Sequence, residues 1–117
     1  MTEQNKLSNE EMRSHKFLQD MYEDDYFPNH LVNKASDLLV ALCHKIETHQ
    51  PSDLAALYQL TQATTIEFNE LQEAFFEAES EFETVAREII AEDFEAIASA
   101  YGFDEADVEE LIETRDW

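Results

Sequence analysis

Glycine, proline and cysteine are nearly absent from this sequence of 117 residues, which contains one Gly, two Pro and one Cys. A β-rich fold needs turn residues in quantity, so their scarcity argues against one. It also excludes the glycine-rich loops that hold nucleotide phosphates, because each of their common forms contains more than one glycine. The lone Cys43 rules out an intrachain disulfide, which is typical of a reducing compartment.

Positive charge is equally scarce: seven Lys and Arg face 28 Asp and Glu, and the formal net charge is −21. The imbalance is concentrated late in the chain. Residues 1–66 contain ten acids and five bases, whereas residues 67–117 contain eighteen acids and two bases. Nucleic acid and anionic membranes are themselves negatively charged, so we expect neither as a direct partner. The charge favours a basic protein, a cation, or no electrostatic partner at all.

Long apolar runs are also missing. The longest uncharged stretch, residues 54–66, is shorter than the ~20 residues of a membrane span, and Gln and Thr interrupt it. Residues 1–11 are polar and acidic and lack the apolar segment of a secretory signal. We therefore expect a cytoplasmic protein. Eight Phe, four Tyr and one Trp indicate a folded chain, and the length fits a single domain over residues 1–117.

Apolar residues recur with helical periodicity along the chain, which predicts an all-α fold. We predict a helical bundle of four main helices plus a short C-terminal helix. The predicted helices cover residues 8–22, 28–48, 52–79, 80–101 and 104–112.

Local signals set these boundaries. Ser8 with Glu11 and Ser80 with Glu83 form capping-box patterns, and Gly102 stands where a left-handed helix terminus is expected. The third and fourth helices could also be one continuous helix, since no Gly or Pro separates them, but the second capping box favours a break. The predicted N-caps are Ser8, Ser52, Ser80 and Asp104.

Two patches of the sequence together resemble a known family. The first contains Asp20-Met21-Tyr22, Asp25-Tyr26-Phe27-Pro28 and Leu31-Val32. The second contains Ala91-Glu92-Asp93-Phe94, Ile97-Ala98, Ala100-Tyr101-Gly102, Glu109-Glu110-Leu111-Ile112 and Arg115-Asp116-Trp117. The combination resembles a family of small acidic bacterial proteins classed only as a domain of unknown function. The resemblance covers nearly the whole chain and implies a bacterial, cytoplasmic, helical protein, without implying an activity or site residues.

Glutamates recur at intervals of three and four residues in the third and fourth predicted helices, which places them on common helix faces. Two such helices could hold two metal ions. However, no Glu is followed by His three residues later, as helical di-iron proteins require. We predict a solvated acidic face and no metal ligands, because the apolar positions of the third helix lie on another side. The residues concerned are Glu67, Glu70, Glu73 and Glu77, followed by Glu88, Glu92 and Glu95.

His44 and Glu47 lie three residues apart in the second helix and could supply two metal ligands. A zinc site needs further ligands, and Cys43 points about 100° away from His44 on a helix. Cys43 lies beside the apolar face of its helix, late in that helix. We predict that it is a buried hydrophobic residue rather than a nucleophile.

Glu92 and Asp93 are the best pair for acid–base chemistry, although adjacent residues diverge in direction on a helix. Asp93 lies among apolar positions, where a carboxylate would matter most. The more conservative interpretation gives Asp93 a salt bridge to one of the few bases, such as Arg87 or Lys34.

Residues 22–29 are predicted to form a loop in which Tyr26 and Phe27 stand among three acids. Exposed aromatics ringed by acids are typical of a protein-binding surface. We favour the alternative, in which both aromatics pack onto the core and only the acids are exposed. Trp117 has the same two alternatives, docked on the bundle or free for a partner. The acids of the loop are Glu23, Asp24 and Asp25.

These observations favour a non-enzymatic acidic protein that binds a basic partner protein, in an inhibitor-like or immunity-like role. We predict no catalytic residue, no cofactor and no metal ligand. One alternative is a carboxylate-rich metal-binding protein or enzyme with a site between helices; another is a self-associating protein, for which an exposed Phe76 would be evidence. The predicted partner-binding residues are Glu23, Asp24, Asp25, Tyr26, Glu67, Glu70, Glu73 and Glu77.

Overall fold

The computed structural model describes residues 3–80 and 84–117 and contains helices without a strand in those ranges. The predicted all-α bundle is confirmed. The elements are a 3-10 turn at Gln4–Lys6, α1 at Glu10–Ser14, α2 at Gln19–Tyr22, α3 at Asn29–His49, α4 at Leu54–Glu77, α5 at Thr84–Ala100 and α6 at Val108–Leu111. The two longest helices, α3 and α4, pack against each other, and α5 contacts α1, α2, α3 and α6.

The first predicted main helix is present as two short helices, α1 and α2, with a break between them. A continuous helix would place Met12 and Phe17 about 140° apart around its axis, whereas the break lets both side chains reach the core. Leu18 adopts a left-handed conformation (φ 55°) at the start of α2. Asn9 caps α1 by accepting the Met12 N–H at 3.0 Å, so the prediction of Ser8 as the cap is wrong.

The predicted break between the third and fourth helices is confirmed, because α4 ends at Glu77 and α5 begins at Thr84. The end of α4 resembles a Schellman motif: the Ser80 N–H donates to the Phe75 carbonyl at 2.8 Å, while Glu79 has a φ of 64°. The predicted capping box with Glu83 lies outside the described residues.

Two of the predicted caps are displaced along the chain. The N-cap of α4 is Asp53, whose carboxylate accepts the Ala56 N–H at 2.9 Å, rather than Ser52. The N-cap of α6 is Asp107, which leaves Asp104 to accept a hydrogen bond from a serine hydroxyl of α5. In both cases the cap is an aspartate whose carboxylate accepts a backbone N–H of the first helical turn, a group that has no partner within the helix.

Gly102 ends α5 as predicted. Its φ of 91° lies in the left-handed region, and the Phe103 N–H donates to the Ala98 carbonyl at 2.8 Å. This backbone bend turns the chain back toward α6 and the C-terminal tail, which then pack against α4 and α5.

Aromatic side chains fill the centre of the bundle. The Phe68 ring lies 5.9 Å from that of Phe94 and 6.2 Å from that of Trp117, measured between centroids. The tail is therefore packed on α4 through Trp117. Among the described residues, no helix is long and apolar enough to cross a membrane.

Candidate functional site

The outer face of α4 is strongly acidic. Phe68 and Phe75 are buried, so the helical register leaves Glu70, Glu73 and Glu77 exposed on other sides of the helix. In residues 3–80 and 84–117, these three carboxylates have no Lys, Arg or His nitrogen within 4.0 Å. None of the three therefore forms an ion pair in the part of the chain that the structure describes.

Glu67 differs from the other glutamates of this helix. Its side chain is half-exposed and pairs with the Lys45 Nζ of α3 at 3.4 Å. This ion pair links α3 to α4 at the surface, where solvent limits such a pair to a small contribution. Of the four predicted partner-binding residues on α4, Glu67 is thus the one whose charge is already partly balanced.

An exposed aromatic ring lies beside the acidic face. Phe76 is 67% exposed, the most exposed large apolar residue that the structure describes. It borders a surface cleft of about 540 Å³ formed by the last turns of α4, the first turn of α5 and the C-terminal tail. The lining residues are Gln72, Glu73, Phe76, Glu77, Arg87, Asp116 and Trp117.

Asn69 fixes the tail that forms one wall of this cleft. Its side-chain amide donates to the Thr114 carbonyl at 2.9 Å, and its side-chain oxygen accepts the Asp116 N–H at 3.0 Å. The Thr114 hydroxyl also donates to the Gln62 carbonyl at 2.8 Å. These bonds place Asp116 and Trp117 against α4, and the docked alternative for Trp117 is correct.

The loop between α2 and α3 contributes a second set of acids. Phe27 is 3% exposed and packs against Phe75 of α4 at 6.5 Å between ring centroids. Tyr26 is 41% exposed, with its ring 5.1 Å from that of Phe27. The favoured interpretation is therefore correct for Phe27 and wrong for Tyr26. The acids Glu23, Asp24 and Asp25 are all exposed.

Asp93 is buried, with 8% of its surface exposed, and its carboxylate has two partners. One oxygen lies 2.9 Å from His15 Nε2, and the other accepts the Leu18 N–H at 2.7 Å. The prediction of Arg87 or Lys34 as its ionic partner is wrong. Burial raises the pKa of Asp93, while the bonds from His15 and Leu18 act in the opposite direction.

His15 also faces outward. It lines a cleft of about 590 Å³ that includes Arg13 and Lys16, at the break between α1 and α2. No feature of the sequence near His15 indicated Asp93 as its partner, because the two residues are 78 positions apart. The contact arises only when α5 packs against the N-terminal segment.

Glu47 holds the N-terminal segment and Tyr101 together through hydrogen bonds. It accepts the backbone N–H groups of Ser8 and Asn9 at 2.8 and 3.1 Å and the Tyr101 hydroxyl at 2.5 Å. Burial opposes ionisation, but these hydrogen bonds prevail and lower the pKa of Glu47. His44 is directed to the Glu3 carbonyl, 2.8 Å from its Nε2.

The described residues contain no group of three or more His, Cys, Asp or Glu side chains that could hold a metal ion. His44, Glu92 and Asp93 therefore do not come together as one group of candidate metal ligands in the described residues. Cys43 is buried, as predicted, and burial raises the pKa of its thiol to about 12. A thiol with this pKa is protonated at neutral pH.

The fold and the cleft define a small all-α protein with an acidic surface. Residues 11–117 match DUF5713, a family of unknown function. The chain belongs to this family, in agreement with the resemblance seen in the sequence. No curated protein and no solved structure matches this chain.

Proposed function

We propose that this protein is a non-enzymatic interaction protein that binds a basic partner protein through the acidic face of α4. The observation that carries the proposal is the set of three exposed glutamates, Glu70, Glu73 and Glu77, which form no ion pair with any described basic side chain and lie on the helix that exposes the ring of Phe76. An inhibitor-like or immunity-like role in the cytoplasm of a bacterium is consistent with such a surface.

Electrostatics supports this choice of partner. Neighbouring carboxylates on one helix face repel each other, and a positively charged surface relieves that repulsion on binding. The net charge of −21 also attracts a basic protein over distances of about a Debye length, ~10 Å at 0.1 M salt. Association with such a partner is therefore accelerated at low salt.

Phe76 supplies the apolar contact that charge alone lacks. Stable interfaces combine a rim of polar groups with a buried apolar or aromatic centre. Phe76 occupies such a position, with Glu73 and Glu77 lining the same cleft. Tyr26 and the acids Glu23, Asp24 and Asp25 would form a separate part of the proposed surface, because Phe27 anchors their loop on Phe75, on the buried side of α4.

The test is capture from a bacterial lysate on the immobilised full chain, at about 50 mM and about 500 mM NaCl. Two triple variants carry the same change in charge. The test variant is Glu70→Gln, Glu73→Gln and Glu77→Gln on α4, and the control variant is Glu88→Gln, Glu92→Gln and Glu95→Gln on the exposed side of α5.

We expect a basic protein that is retained at low salt and released at high salt, and that the α4 variant fails to retain while the α5 variant still does. Equal retention by both variants, or retention that does not change with salt, contradicts the proposal. Equal loss in both variants indicates a general charge effect and also contradicts a site on α4.

A further inference from the structure

We propose that the cleft beside Phe76 is a receptor for an arginine side chain, which the basic partner presents. This inference rests on the proposed function and names the chemical group that the site recognises. The cleft is of a size common for ligand sites, about 540 Å³, and the described residues of its lining combine two aromatic rings with three carboxylates.

The aromatic rings provide the first part of the recognition. A guanidinium group is attracted to the face of an aromatic ring, where it is both stacked and electrostatically stabilised. Phe76 is 67% exposed and lines the cleft, and Trp117 of the tail also lines it. An arginine inserted here covers apolar surface that is otherwise in contact with water.

The charges of the cleft provide the second part. Among the described residues that line the cleft, the three acids Glu73, Glu77 and Asp116 outnumber the one cation, Arg87, so that this lining carries a net negative charge. Carboxylates accept the paired N–H donors of a guanidinium in a planar, bidentate arrangement. Lysine offers a compact ammonium without this geometry, so arginine is the preferred occupant.

The site is also held in place before a ligand arrives. The side-chain amide of Asn69 donates to Thr114 and accepts from Asp116, and the Trp117 ring packs on Phe68. Binding therefore does not have to order this wall of the cleft, and the free energy lost to ordering on association is reduced.

Trp117 gives a direct reporter, because it is the only tryptophan in the chain. The probe is a short peptide of alternating Arg and Ala, compared with the same peptide in which Lys replaces Arg. We expect titration at low salt to change the Trp117 fluorescence, with at least about threefold tighter binding for the Arg peptide. Equal affinity for the two peptides overturns the proposal.

Phe76→Ala tests the aromatic contact. We expect it to weaken binding of the Arg peptide by about five- to tenfold, measured by calorimetry so that the readout does not depend on the altered surroundings of Trp117. Ile66→Ala is the control, because Ile66 is another exposed apolar residue of α4, 49% exposed and outside the cleft. Unchanged affinity in Phe76→Ala overturns the proposal.

Arg87→Gln tests the sign of the ligand's charge. Removal of Arg87, the one cation among the described lining residues, strengthens binding of a cationic ligand, and we expect about a two- to fivefold gain for the Arg peptide. A loss of affinity in this variant contradicts the inference, because removal of a like charge should not weaken the binding of a cation.

Two further outcomes separate this inference from the proposed function. Binding of the Arg peptide that depends on the α4 glutamates but not on Phe76 removes the arginine receptor and leaves the proposed function standing. A dimer of the free protein that Phe76→Ala dissociates, seen by light scattering, shows that a second copy occupies the cleft and overturns the arginine assignment. Failure of all basic probes to bind removes both proposals.

Discussion

The Nε2 atom of His15 lies 2.9 Å from the Asp93 carboxylate, which joins the break between α1 and α2 to the middle of α5. The second carboxylate oxygen accepts the N–H of Leu18, whose left-handed backbone starts α2. One buried acid therefore holds both sides of the N-terminal break. This contact fixes the path of the N-terminal segment, which contains α1 and α2, where that segment packs against α5.

Asp93→Ala is expected to lower the free energy of unfolding by about 2–4 kcal/mol, because it leaves the buried Leu18 N–H without its acceptor. Asp93→Asn is expected to cost about 1 kcal/mol or less, since the amide oxygen still accepts from Leu18 and its N–H can donate to neutral His15. Urea unfolding at pH 7 measures both. Equal losses in the two variants would show that the carboxylate's charge, rather than its hydrogen bonds, is what stabilises the break.

The lowered pKa of Glu47 predicts that the free energy of unfolding depends on pH. Its pKa is lower in the folded protein than its ordinary value of 4.5, because Tyr101 and two backbone N–H groups bind the carboxylate against the cost of burial. Its contribution is therefore fully present above pH 4.5 and is lost as the pH falls through the folded pKa. We expect Glu47→Gln to cost about 1 kcal/mol at pH 7, a figure reduced by solvent screening.

The measurement is urea unfolding of the wild type and Glu47→Gln between about pH 3 and pH 7. The difference between them should shrink on acidification. Asp93→Asn is the control with the opposite sign, because burial raises the pKa of Asp93 and the wild type loses stability relative to this variant as the pH rises. A Glu47→Gln difference that stays constant with pH would contradict the assignment.

Gly102→Ala is expected to lower the free energy of unfolding by about 1 kcal/mol, since a side chain at φ 91° strains the backbone. A methyl group at this position meets no atom within 4 Å, so the cost is conformational rather than steric. Gly102→Asn should cost less, because asparagine tolerates left-handed conformations. Thermal unfolding compares the two, and a larger loss for Asn than for Ala would be inconsistent with this explanation.

Cys43 is expected to be unreactive in the folded protein. Its thiol is buried, and a pKa of about 12 leaves almost no thiolate at neutral pH. A colorimetric disulfide reagent should therefore modify Cys43 slowly at pH 7 and rapidly after unfolding in urea. Rapid modification of the native protein would instead indicate an accessible thiolate, and would revive the enzyme alternative.

The helical architecture could be predicted from the sequence because its signals are local. Periodic apolar residues located α3, α4 and α5, and Gly102 located the end of α5. The break at Leu18 had no local signal, because it depends on Asp93 of a distant helix. The caps of α4 and α6 were misplaced because more than one residue of a type that favours the N-cap lies near the start of each helix.

The candidate site could likewise be predicted only where its signal is local in the sequence. The spacing of Glu70, Glu73 and Glu77 predicted an acidic helix face, and the structure places all three at the surface. The cleft beside this face could not be predicted, because it requires Trp117 and Arg87 to meet α4 from elsewhere in the chain. Asn69, the residue that fixes the tail, looks in the sequence like any other polar position of a helix.

The most direct test of a basic-partner site on α4 is amide chemical-shift mapping of the full chain with the alternating Arg and Ala peptide at low salt. We predict that the largest changes fall at residues 69–77 and 114–117, including the Trp117 indole N–H. They should be much smaller at the exposed acids of α5, residues 88–95. Shifts spread evenly over all acidic surfaces, or no shifts at all, would contradict a defined binding site on α4.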